Sequence, residues 1–199
     1  MVKPTGFAAL LSVIAAACGG VAPSAEPTTT KTPAELIDSS VPEMRATGFT
    51  HAKQIAWPVS FESAGPLRPG MSLPQAVVAM EGDLWTLDTH GRCVYFHAAR
   101  APGMEFVFLD RHLVRIDVDS GRAGTVEHVK IGATEDQVQA AYPGRVTVTD
   151  AYTGGHFLTV SAEDAADSVR RLVFETDGKR VVRFRTGLRP AVDWIEGCS

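Results

Sequence analysis

One phrase is written twice in this chain, and it constrains the fold more than any other feature. "RPGMSLPQAVVAMEGD" begins at Arg68 and "IGATEDQVQAAYPGR" begins at Ile131. Aligned without a gap, Gly70 falls on Gly132, Ser72 on Thr134, Gln75 on Gln137, Ala79 on Ala141 and Gly82 on Gly144. The spacing is 62 residues throughout. Ser72 and Thr134 stand where a helix N-cap accepts a bond from a first-turn amide. Pro74 tolerates the first turn because its missing N–H costs little there. Glu135 and Asp136 suit the positive end of the helix dipole. Val77 and Met80, with Val138, Ala141 and Tyr142, make short apolar faces, and Gly82 and Gly144 fit helix stops. Each phrase therefore predicts a glycine turn, a capped helix of about two to three turns and a stop.

Matching strand patterns follow each phrase. "CVYFHAA" corresponds to "HFLTVSA", and "EFVFLDRHLVRIDV" to "RLVFETDGKRVVRFRT", with Arg115 on Arg183. The extra residues of the second run fall in "TDGK", where Asp-Gly signals a hairpin turn. Alternating β-branched and aromatic residues mark these runs as antiparallel strands. The expectation is an α+β fold: two tandem helix-plus-antiparallel-strand repeats, about residues 61–121 and 122–199, forming one curved sheet with both helices on one face.

Strand parity then proposes a surface. Val114, Ile116 and Val118 share one face, as do Val182 and Phe184, and these should point at the helices. The opposite, open face then carries Arg115, Asp117, Arg183 and Arg185, and by the same alternation Tyr95 and His97. Such a face can simply meet water. Arg and Tyr together also suit recognition of a carboxylate, a sugar or a partner protein, so these six residues are the candidate binding face.

The N-terminus predicts an address. "MVKPTGFAALLSVIAAACGG" has one charge, Lys3, before a mostly apolar run too short to span a bilayer, the shape of a secretory signal over residues 1–17. Ala15-Ala16-Ala17 before Cys18 resembles the bacterial lipobox, which implies that Cys18 carries lipid; Gly19 after it favours the outer membrane over inner-membrane retention. The same alanines also form an ordinary A-x-A cleavage site. Residues 18–45, rich in Gly, Pro, Ser and Thr, read as the lipidated N-terminus and a flexible tether, and residues 46–199 as a single domain. Residues 35–60 are ambiguous, with a helical turn interrupted by Pro42. Membrane association is expected through the N-terminal lipid only, with the protein facing the periplasm.

With Cys18 committed to lipid, Cys93 and Cys198 remain. Export to an oxidising compartment predicts a disulfide between them. The formal charge is −4, with no Lys/Arg-rich block, so nucleic acid is not an expected partner. There is no G-x-S-x-G, H-E-x-x-H or phosphate-loop motif, and the six histidines show no close metal spacing. "DVDSGRAG" starts like a calcium loop, but His128 stands where the loop's Glu is required. "YTGGH" from Tyr152 reads as a strand-entry turn in preference to a ligand loop. Neither catalytic residue, metal nor cofactor is expected.

"IGATEDQVQAAYPGRV", "YTGGHFLTV" and "WIEGCS" resemble stretches of uncharacterised proteobacterial exported lipoproteins, some of which carry the label "lectin". More distantly, the G-x-[ST] helix-plus-sheet unit is similar to that of β-lactamase inhibitory proteins and of the small lipoprotein of the outer-membrane assembly machine, which bind proteins. Ala133 departs from the Met often found after the glycine of such phrases. The resemblance implies a non-catalytic envelope binding protein whose partner is an envelope protein or, in the lectin-like alternative, a glycan. It supplies no sugar-binding residues. A hydrolase whose site leaves no motif is the remaining alternative.

Overall fold

The computed structural model describes residues 53–152, 154–164 and 166–198. The secretory signal, Cys18, the tether and the ambiguous stretch up to residue 52 lie outside the described residues.

The first phrase becomes helix α1 (Leu73–Ala79) and the second α2 (Glu135–Ala141), each seven residues long. Their glycines adopt left-handed backbone, with φ of 99° at Gly70 and 88° at Gly132, which only glycine enters freely. That turn docks each helix onto a hairpin. Gly70 and Leu73 donate to the carbonyls of Leu113 and Arg111, and Gly132 and Glu135 donate to those of Val181 and Lys179. At the second helix, the Gln137 amide donates to the Thr134 hydroxyl at 3.2 Å, and the Thr134 amide returns a bond to the Gln137 side chain at 2.8 Å, a reciprocal cap. At the first, the Ser72 amide and hydroxyl both donate to Gln75.

The strands are β1 (Pro58–Val59), β2 (Trp85–His90), β3 (Cys93–His97), β4 (Met104–Leu109), β5 (His112–Val118), β6 (Gly124–Thr125), β7 (Val146–Asp150), β8 (His156–Ser161), β9 (Arg170–Thr176) and β10 (Val181–Leu188). Eight of them form one antiparallel sheet in the order β2-β3-β4-β5-β10-β9-β8-β7, while β1 and β6 pair in parallel apart from it. The expected α+β class is therefore corrected. Ten strands against two α-helices make the described residues mostly β, not an arrangement of helix-plus-strand repeats. The physical reason is helix length. A two-turn helix buries too little to form a layer: α1 buries Leu73 and Ala76, and α2 buries Val138.

One sheet face holds the aromatic core. Cross-strand registers align Met104–Val118–Phe184–Phe174–Leu158 and Phe106–Ile116–Thr186–Leu172–Val160, and these residues are almost wholly buried. Phe174 and Phe184 stack at 5.5 Å, and buried Tyr142 packs on Phe174 and edge-on to Phe61. Trp57, Val59, Phe61 and Leu67 are buried too, so the ordered core begins ahead of Phe61.

Two bulges correct the predicted parity. Val107 pairs with Arg115 and Phe108 with Leu113, leaving Val114 unpaired. Thr176 pairs with Val181 and Glu175 with Arg183, leaving Val182 unpaired. Both valines were expected to face the helices. Val114 instead packs on the opposite face with Cys93, Tyr95 and Val107, and Val182 is exposed. An unpaired residue shifts the alternation by one position, which one-letter periodicity does not reveal.

Candidate functional site

The face opposite the aromatic core carries charge in rows. Glu105 is opposite Asp117, and Asp117 is opposite Arg185. One pair along, Tyr95, Val107, Arg115 and Gly187 form a second row. Gly187 is required there: a Cβ would sit 2.5 Å from the Val114 carbonyl oxygen and 3.3 Å from the Arg115 Cβ. Arg183 and Glu175 are paired beside the first row.

The expected open face is closed in part by the chain itself. After β10 a 3-10 turn (Ala191–Asp193) and residues 194–198 lie across it as a strap. Cys198 is disulfide-bonded to Cys93, with Cα atoms 6.1 Å apart. The Cys198 amide donates to the Tyr95 hydroxyl at 2.7 Å. Gly197, with φ of 78°, passes so close that a Cβ would lie 2.5 Å from that hydroxyl. Val192 covers Phe157 and Val173, and Trp194 covers Tyr95 and Val107. Apolar contacts thus seat the strap on β8 and β9 through Val192 and on β3 and β4 through Trp194.

The arginines differ in role accordingly. Arg115, 5% exposed, donates through Nε to Asp117 Oδ2 at 2.8 Å and through Nη1 to the carbonyls of Ala191 and Trp194. Arg185, 6% exposed, donates to the Val192 carbonyl at 2.7 Å and lies 5.7 Å from the Phe157 ring centre. Burial pushes its guanidinium below the usual arginine range. These two side chains fasten the strap. Arg183 makes a two-bond fork to Glu175 at 2.7 and 2.9 Å, yet half of its side chain remains exposed. Those bonds raise its already high pKa.

Where the strap stops covering the face, a recess of about 330 Å³ opens. Tyr95, Arg115, Asp117, Arg183 and Arg185 line it, joined by Glu105, Asp119, Ile195 and Glu196. Five of the six sequence-predicted residues therefore meet in one concavity. His97 stays outside the lining and reaches it through Glu105, with Nε2 3.5 Å from Oε2. Burial, then repulsion from Asp117, pushes the Glu105 carboxyl above its ordinary range, with His97 opposing. Burial raises Asp117 as well, against the pull of Arg115.

Glu105, Glu175, Ile195 and Glu196 are additions that sequence reasoning missed. Glu105 did leave a signal as the lone acid inside an apolar strand, and Glu175 as the lone acid directly after the apolar run Leu172–Phe174. Tyr152, read as part of a turn, is 71% exposed and reaches Glu196 with its hydroxyl at 3.4 Å. "DVDSGRAG" is not a loop throughout, because Asp117 sits inside β5. Among the described residues no group of three or more His, Cys, Asp or Glu could hold a metal ion. No described helix is long and apolar enough to cross a membrane.

No family model matches the chain, and a search of the curated proteins finds no match. Among solved structures, the chain is similar to the crystal structure of the uncharacterized protein yfeY from Escherichia coli. Identity is 16% and the TM-score 0.42, over 65% of this chain and 99% of that one. A likeness of that extent carries no argument about function.

Proposed function

We propose that this chain is a non-catalytic binding protein of the cell envelope, tethered by lipid at Cys18 and facing the periplasm at the outer membrane, which takes its partner at the recess beside the C-terminal strap. The carrying observation is the convergence of ionisable side chains on a concavity whose walls are locked by the strap's bonds to Arg115, Arg185 and Tyr95. Preorganised polar groups of this kind lose little freedom when a partner arrives. Arg183, Ile195, Glu196 and Tyr152 offer the exposed contact surface. The tether supplies the envelope address from sequence alone.

The partner is an envelope protein. The lectin-like alternative draws on Tyr152, since an exposed aromatic ring beside carboxylates and an arginine suits a sugar's apolar face and hydroxyls. A hydrolase draws on the adjacent Glu105 and Asp117, whose carboxyls are both pushed upward by burial, because a carboxyl with a raised pKa is better suited to act as an acid. The test is covalent trapping from a photoreactive residue in place of Ile195. A protein adduct supports the first reading and a glycan adduct the second. Turnover of the trapped species that Glu105→Gln abolishes would establish the third.

A further inference from the structure

The eight-stranded sheet ends in β2 on one side and β7 on the other, and the two edges are built differently. β2 is broken by a bulge at Leu87 and carries an exposed Asp88–His90 pair, features that discourage edge-to-edge pairing. β7, "VTVTD", is paired with β8 in unbroken register. Its side chains from Thr147 to Asp150 are exposed, and it holds no Lys, Pro or Gly.

The hydrogen bonds that flank β7 give its phase. Ser161 donates to the Arg145 carbonyl at 3.1 Å, and Ala151 donates to the Gly155 carbonyl at 2.8 Å. Bonded pairs alternate along an antiparallel ladder. Thr147 and Thr149 therefore spend their amides and carbonyls on β8, and those of Val146, Val148 and Asp150 point outward. An incoming antiparallel strand must meet these three residues with its own outward groups.

We infer that β7 is a self-pairing edge, and that its occupant is β7 of a second copy of this chain. The phase admits registers in which outward residues face outward residues, and the fullest overlap sets Val148 against Val148, Val146 against Asp150 and Thr147 against Thr149. About six backbone bonds form across that seam. The one acid, Asp150, meets a valine, so no like charges oppose. Val148, 45% exposed, gains an apolar neighbour on the core side of the sheet, where it already pairs with Leu158. Thr147 and Thr149 form cross-strand pairs on the other face, a favourable combination. The two sheets join into one, with the two recesses facing the same way.

The test is sedimentation velocity of the full chain over a concentration series, with melting temperature measured alongside. The wild type should show a reversible monomer–dimer equilibrium. Val148→Lys sets two like charges against each other at the centre of the seam, and Val148→Pro removes an outward amide that β8 does not use. Both should raise the dimer dissociation constant at least about tenfold while the melt stays near that of the wild type. A wild type that remains monomeric at its highest soluble concentration overturns the inference. So does a dimer that survives Val148→Lys. Protection of the β7 amides from exchange only in the presence of envelope extract would assign the edge to a foreign strand, and would also overturn self-pairing.

Discussion

Arg115 and Arg183 occupy matched places in the sequence, each one residue after a bulged valine, yet they do different work. Arg115 is spent on Asp117 and two strap carbonyls, in bonds that are buried or half-buried. Arg115→Ala should cost about 2 kcal/mol, because it leaves the half-buried Asp117 carboxyl and the Trp194 carbonyl without their donor, while the Ala191 carbonyl keeps the Trp194 amide. Urea denaturation of the variant against the wild type measures this, and a loss within about 0.5 kcal/mol would show that Arg115 is a surface residue. The neighbouring carboxyls set a pH dependence. Glu105 keeps its proton to higher pH folded than unfolded, so the folded state binds the extra proton between those two values. Its contribution is complete below the unfolded pKa and fades as pH rises through the folded one. Glu105→Gln removes that loss. Its melting temperature should match the wild type near about pH 4 and exceed it by a margin that grows as pH rises through the folded-state value and then levels off. A constant difference across the series would contradict the raised value.

At the scale of elements, the strap has its structural effect through a covalent end and a hydrogen-bonded middle. Breaking the link with Cys93→Ser/Cys198→Ser opens a loop spanning 105 residues and should cost about 2–5 kcal/mol. Hydrogen exchange should rise first at Trp194 and Cys198, whose covers are released, while β5 and β10 stay protected. Uniformly faster exchange would show that the disulfide supports the whole sheet and not the strap. The strap marks where sequence reading stopped. The alternation in "LVRIDV" placed Arg115 and Asp117 on the non-core face, because β-strand side chains have a fixed period of two. Nothing in "RPAVDWIEGC" announces that it will lie on that face. Its key acceptors are the carbonyls of Ala191, Val192 and Trp194, and every residue type carries a carbonyl. The bulges at Val114 and Val182 were hidden for the same reason, since backbone pairing has no one-letter signature. The helices were over-weighted for the opposite reason. Glycine turns and caps at Gly70, Ser72, Gly132 and Thr134 are strong local signals, but they report where a helix starts, not how much of the molecule it fills.

For the whole molecule, the strands form a mostly β body with one face committed to core and the other divided between strap and recess. That division gives the chain a rigid support for exposed groups at Tyr152, Arg183, Ile195 and Glu196. Arg183 alone is a poor probe of the recess, because its removal leaves Glu175, 7% exposed, without its fork. Ile195 is better suited: it lines the recess and is 43% exposed. Val78 on α1, 78% exposed and outside the lining, provides the matched control. The most direct measurement places a photoreactive residue at either position in the full chain and irradiates it in intact cells. One defined adduct is expected from position 195 and is missing from position 78. The same adducts from both positions, or none from position 195, would contradict this expectation.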